Sequence, residues 1–173
     1  MNEFKEPGLL ERTQNAIQPL VAAGDFQLET IEYGHLHGDV DVKLCSKDLD
    51  IIFHRMLRAS TETHCFFKVK SAKKTFSAKY LFPALGISTR INKGKSVQNL
   101  NYRSIEGCDD KHQKIIDEFL ERTGFISELN RLCIEINEIL RDIRVAFSSE
   151  NLDETITLYA IEVRKHEKYG RIF

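Results

Sequence analysis

Between His54 and Arg103 the chain carries eleven Lys and Arg against a single acid, Glu62. The flanks reverse the sign. Residues 1–53 hold four basic and ten acidic side chains, and residues 104–173 hold ten and fifteen. The formal net charge of −1 therefore averages three blocks of opposite polarity. Phe66, Phe67, Val69, Phe76, Tyr80, Leu81, Phe82, Leu85, Ile87, Ile91 and Tyr102 interleave with the cations. That apolar content lets the basic block fold instead of trailing as a charged tail. A folded surface with ammonium and guanidinium groups beside aromatic rings suits a polyanion, and nucleic acid is the commonest one.

A chain of 173 residues makes one domain, or one domain with a helical extension, and can bury roughly two thirds of its unfolded surface. Hydrophobic residues at 42% and charged residues at 29% are ordinary for a globular protein. No apolar run approaches the ~20 residues of a membrane span. The first residues lack a basic region followed by an apolar stretch, so no secretory signal is expected. Cys45, Cys65, Cys108 and Cys133 are widely scattered. That spacing fits buried free thiols in a reducing cytoplasm better than a disulfide framework or a zinc knuckle.

Apolar spacing predicts a helix over 8–23, with Pro19 kinking or shortening it and Gly24 ending it. Residues 26–33 and 39–45 read as strands. In the second, Val40, Val42 and Leu44 alternate with Asp39, Asp41 and Lys43. Gly34 and Gly38 allow a turn between them. Ser46 is a candidate cap for a helix through about Ala59, with Leu49, Ile52, Phe53, Met56 and Leu57 at helical spacing.

The basic block itself reads as antiparallel sheet. Strands over 63–70 and 75–82 flank a turn at 71–74, and a hairpin over 86–105 turns near Lys93 and Gly94. On the first of these strands Phe66, Lys68 and Lys70 share one face, and Cys65, Phe67 and Val69 the other. The competing reading makes 71–82 helical. Farther on, Phe119, Ile126, Cys133, Leu140 and Phe147 recur every seven residues, with Ile115, Leu129, Ile136 and Ile143 between them. That seam needs a partner, either this chain's own core or a second copy in a homodimer through 109–147. Gly124 divides it into helices over 109–123 and 126–147. A last helix over 151–169 completes the pattern.

Several clusters have the makings of chemistry. His35, His37, Asp39 and Asp41 form a candidate metal set, although the glycines between strands favour a solvated turn. Asp25 near the start of one strand, Asp41-Val42-Lys43 on the next, and a helix near Ser46 together resemble the core of PD-(D/E)xK nucleases. That resemblance implies that Asp25 and Asp41 hold magnesium and Lys43 positions or activates water. The Asp39-Val40-Asp41 pair is similar to the paired acids of nucleotidyltransferases, but that family's Gly-Ser helix start is missing, since His35 follows Gly34. There is no Gly-rich phosphate loop, GxSxG elbow or HExxH helix, and no cofactor is expected.

The expected fold is α+β. It runs from an N-terminal helix and β-hairpin through a helix and a basic antiparallel sheet, within 1–108, to a C-terminal helical hairpin within 109–173. The expected function is non-enzymatic nucleic-acid binding, DNA or RNA, by a regulatory or accessory protein. Its candidate binding residues are Lys68, Lys70, Lys73, Lys74, Lys79, Arg90, Lys93, Lys95, Arg103 and Phe66. The alternatives are a metal-dependent nuclease built on Asp25, Asp41 and Lys43, and an adaptor or inhibitor that binds an acidic protein.

Overall fold

The computed structural model describes residues 9–23, 25–33, 39–56, 63–88 and 124–170. Five strands, β1 (Gln27–Tyr33), β2 (Asp39–Cys45), β3 (Leu49–Met56), β4 (Thr63–Val69) and β5 (Lys74–Ser77), pair antiparallel in sequence order. The helices are α1 (Leu9–Ala16), α2 (Gln18–Ala23), α3 (Ala78–Leu85), α4 (Phe125–Ala146) and α5 (Leu152–Gly170). The chain is α+β, as its pattern predicts.

Alternation makes the sheet two-faced. Thr63, Cys65, Phe67 and Val69 are buried along β4, while His64, Phe66 and Lys68 between them are half-buried. The same inner face takes Val40, Val42 and Leu44 from β2, Leu49, Ile51 and Phe53 from β3, and Phe76 from β5. Helices cover this side. Leu129, Cys133, Ile136, Leu140 and Ile143 of α4 belong to the same buried cluster as the sheet residues, with Ile17, Leu20, Leu81 and Phe82. The described part of the seven-residue seam therefore packs inside one chain. Its beginning, at Ile115 and Phe119, lies outside the described residues.

The N-terminal helix divides where proline requires it. Ile17 forms the break, and Pro19 sits in the first turn of α2, where a missing N–H costs no helical bond. Asn130 Nδ2 donates to the Ala16 carbonyl (3.0 Å) and ties the end of α1 to α4.

Two expectations are corrected. The helix expected over 46–59 is not found, because residues 49–56 are β3; 57–59 lie outside the described residues. Buried Leu49, Ile51, Phe53 and Arg55 alternate with half-buried Ile52 and His54, apart from Asp50, which is also buried. An apolar Ile52 on the outer face imitated helical spacing. Ser46 still accepts the Leu49 N–H (3.1 Å), as a helix cap does, but its own N–H returns to the Leu49 carbonyl (3.0 Å) and closes a hairpin.

The second correction concerns 75–82. The strand ends at Ser77 and the chain turns into α3. Gly86, at φ 67°, closes that helix, with its N–H on the Pro83 carbonyl (3.1 Å) and that of Ile87 on the Phe82 carbonyl (2.9 Å). Helix α5 packs against α3, and the Tyr159 hydroxyl accepts the Ser77 N–H (2.9 Å). The hairpin over 86–105 lies beyond the described residues apart from its start. Residues 86–88 are a turn and irregular chain, not strand.

Cys65 and Cys133 are buried free thiols, and Cys45 is half-buried; Cys108 lies outside the described residues. Burial raises the Cys65 thiol well above its usual value and pushes Cys133 up to about 12. In the native protein iodoacetamide is expected to label Cys45 ahead of Cys65 and Cys133, which should react only on unfolding, as peptide mass mapping would show. Folding keeps both thiols protonated past the usual value of 9, so stability falls as pH rises above it, where the unfolded chain ionises first.

Candidate nucleic-acid interface

The outer face of the sheet is built in cross-strand rows. One row brings together Glu32, Asp41, His54 and His64; the next Thr30, Lys43, Ile52, Phe66 and Ser77; the third Cys45, Asp50, Lys68 and Thr75. A register slip between Leu28 and Thr30 adds Glu29 as a bulge at the β1 margin.

Charge on this face is neutralised unevenly. His54 Nδ1 shares a hydrogen bond with Asp41 Oδ1. Lys43 Nζ meets Glu29 at 2.9 Å and Asp50 at 3.7 Å. Lys70 Nζ reaches the same Asp50 at 3.3 Å and donates to the Ser46 carbonyl. Asp50 is only 4% exposed, so its charge depends on those two ammonium groups. The hydrogen bond from Lys43, with Lys70 and Lys68 adding their fields, holds the Glu29 carboxyl below its ordinary value; the same bond raises Lys43.

The β4–β5 side differs. No acid occurs from Thr63 to Ser88, a stretch containing Lys68, Lys70, Lys73, Lys74 and Lys79. Lys70 through Thr75 are all exposed. Lys68, Lys73 and Lys74 make no ion pair among the described residues, and Lys79 lies 5.6 Å from the Tyr80 ring centroid. Lys73 adopts φ 50°, a left-handed conformation unusual for a side chain with a Cβ. Arg90, Lys93, Lys95 and Arg103 lie outside the described residues.

The nuclease-like trio is not brought together. Asp41 and Lys43 share the outer face, but Asp25 sits at the opposite end of the sheet, exposed and 3.9 Å from Arg144, which also reaches Asp48 at 3.6 Å. Gln27 pairs with Cys45, four residues from Asp41 along β2, so Asp25 is about 13 Å or more away. The helix at Ser46 that completed the resemblance is β3. His35 and His37 lie outside the described residues. Among the described residues no group of three or more His, Cys, Asp or Glu side chains is arranged to hold a metal ion. No described helix is long and apolar enough to cross a membrane.

Sequence reasoning missed Asp50, Ile52, His54 and His64 as parts of this face. The helical reading of 46–59 hid the alternation that would have placed the first three. No family model, curated protein or solved structure matches the chain.

Proposed function

We propose that this protein binds nucleic acid, without catalysing a reaction on it, through β4, the β4–β5 turn and the first turn of α3. The observation that carries this reading is the acid-free stretch from Thr63 to Ser88, whose lysines crowd one rim of the sheet. A merely solvated surface mixes signs, and this protein does so elsewhere: along α4, Arg131 pairs with Glu135 at 3.1 Å. The work falls to one copy of the chain, since Leu129, Ile136 and Ile143 are already buried in its own core. The buried thiols suit a reducing cytoplasm.

Titration against duplex DNA, single-stranded DNA and RNA at two salt concentrations is the test. Each phosphate that a lysine no longer neutralises should reduce the slope of log K against log salt by ~0.7–0.9. Lys73→Ala with Lys74→Ala is therefore expected to reduce it by ~1.4–1.8 and to weaken binding markedly, with little change in melting temperature. An unchanged slope and affinity would sink the charge-based reading. Binding only to an acidic protein would favour the adaptor. Magnesium-dependent cleavage by the wild type, abolished in Asp41→Ala, would restore the nuclease.

A further inference from the structure

A sheet face turned away from the core ordinarily presents polar side chains to water. Here that face carries Phe66, one strand from its middle. It lies opposite Ile52 on β3 and Ser77 on β5, with His64 and Lys68 two residues to either side along β4. Phe66 is half-buried and stands apart from the core. The aromatic cluster beneath the sheet is made without it: Phe67 meets Phe82 at 5.8 Å and Phe76 meets Phe147 at 5.0 Å between centroids.

The charge around the ring has a direction. Asp41 is bonded to His54, and Asp50 to Lys43 and Lys70, so the acids nearest the centre are matched. Glu29, itself paired with Lys43, and Glu32 lie toward β1, while Lys68 and the turn lysines lie toward β5. A polyanion is thus drawn to the half of the face that also holds Phe66. In a duplex the base faces are stacked inside, and a broad sheet meets only phosphate ridges. Unpaired bases offer the ring a free π-face.

Resting on the nucleic-acid reading, we infer that the polymer bound is single-stranded, with a base stacked on Phe66 and adjoining phosphates on Lys68 and the β4–β5 turn. Lys68 is the phosphate contact beside the ring. His64 and Ile52 border the base on its other sides.

The sequence contains no tryptophan, so Phe66→Trp installs the only indole in the protein. Short oligothymidylate and oligouridylate are titrated separately, with a self-complementary duplex as the third probe. The expected result is quenching of the indole by a single strand, and an affinity for it at least about tenfold above that for the duplex. Which of the two strands binds better distinguishes DNA from RNA. Phe66→Ala should weaken single-strand binding by about tenfold, and Phe66→Tyr should retain it. Equal affinity for duplex and single strand with an unquenched indole overturns this inference while leaving nucleic-acid binding by the lysine rim intact. Absence of binding to all three probes overturns both.

Discussion

Glu128→Ala is expected to destabilise the protein by about 2 kcal/mol or more, because it removes a carboxylate bonded to both a buried guanidinium and the Thr63 hydroxyl. Arg55 is 3% exposed on the inner face of β3, and its Nη1 meets Glu128 Oε2 at 3.2 Å. The same carboxylate accepts the Thr63 hydroxyl at 2.8 Å. One α4 side chain thereby joins β3, β4 and the helix, and the Arg55 guanidinium also lies 6.0 Å from the Phe125 ring centroid. Removing one carboxylate from beside a charge held this deeply is costly, whereas an apolar pair of similar size is often tolerated. Arg55→Met with Glu128→Leu is accordingly expected to recover part of the loss. Urea unfolding of the wild type, the single variant and the double variant measures both. A loss below about 1 kcal/mol for Glu128→Ala would show that the pair does not hold helix to sheet.

Arg55 also shows how far charge counting goes. It belongs to the basic block by sequence, yet its guanidinium serves the core. Lys70 is a second case: it lies on the basic rim but is partly committed to Asp50. A count of cations therefore overstates the charge available to a ligand, and among the described residues of the block the lysines without an ion pair are Lys68, Lys73, Lys74 and Lys79. Nothing in the linear sequence marks Asp50 as buried. Its burial depends on the pairing of β2 with β3 and β3 with β4, which brings Lys43 and Lys70 to it.

Where one periodicity was unopposed, the sequence was readable. Val40, Val42 and Leu44 gave β2, and the 126–147 seam gave α4 to within a residue at each end. Legibility failed where two signals coincided. Ser46 has helix-cap chemistry and Ile52 completes a helical stripe, but cross-strand pairing on both sides of β3 outweighed that local preference. At 75–82 both readings held part of the answer, since strand becomes helix at Ala78. The outer face was legible in part on β2, at Asp41 and Lys43, and on β4, at Phe66 and Lys68. Asp50, Ile52 and His54 depended on recognising β3 as a strand.

The two-faced sheet predicts opposite outcomes for adjacent phenylalanines. Phe67→Ala is expected to cost about 3–5 kcal/mol, because the ring is fully buried between β4, α3 and the turn after α4. Its centroid lies 5.8 Å from Phe82 and 6.4 Å from Phe147, so truncation opens a cavity bounded by two other rings that pack against further core residues and cannot simply collapse. For a domain of ordinary stability that is a third or more of the total, and a fall in melting temperature of roughly 10 °C follows. Phe66→Ala, one residue earlier, leaves the core untouched and is expected to cost about 1 kcal/mol or less. Thermal and urea unfolding of the two variants side by side tests the strand register directly. Similar losses in both, or the larger loss at Phe66, would mean that the face assigned to solvent is itself packed, and that no ring is offered there to a ligand.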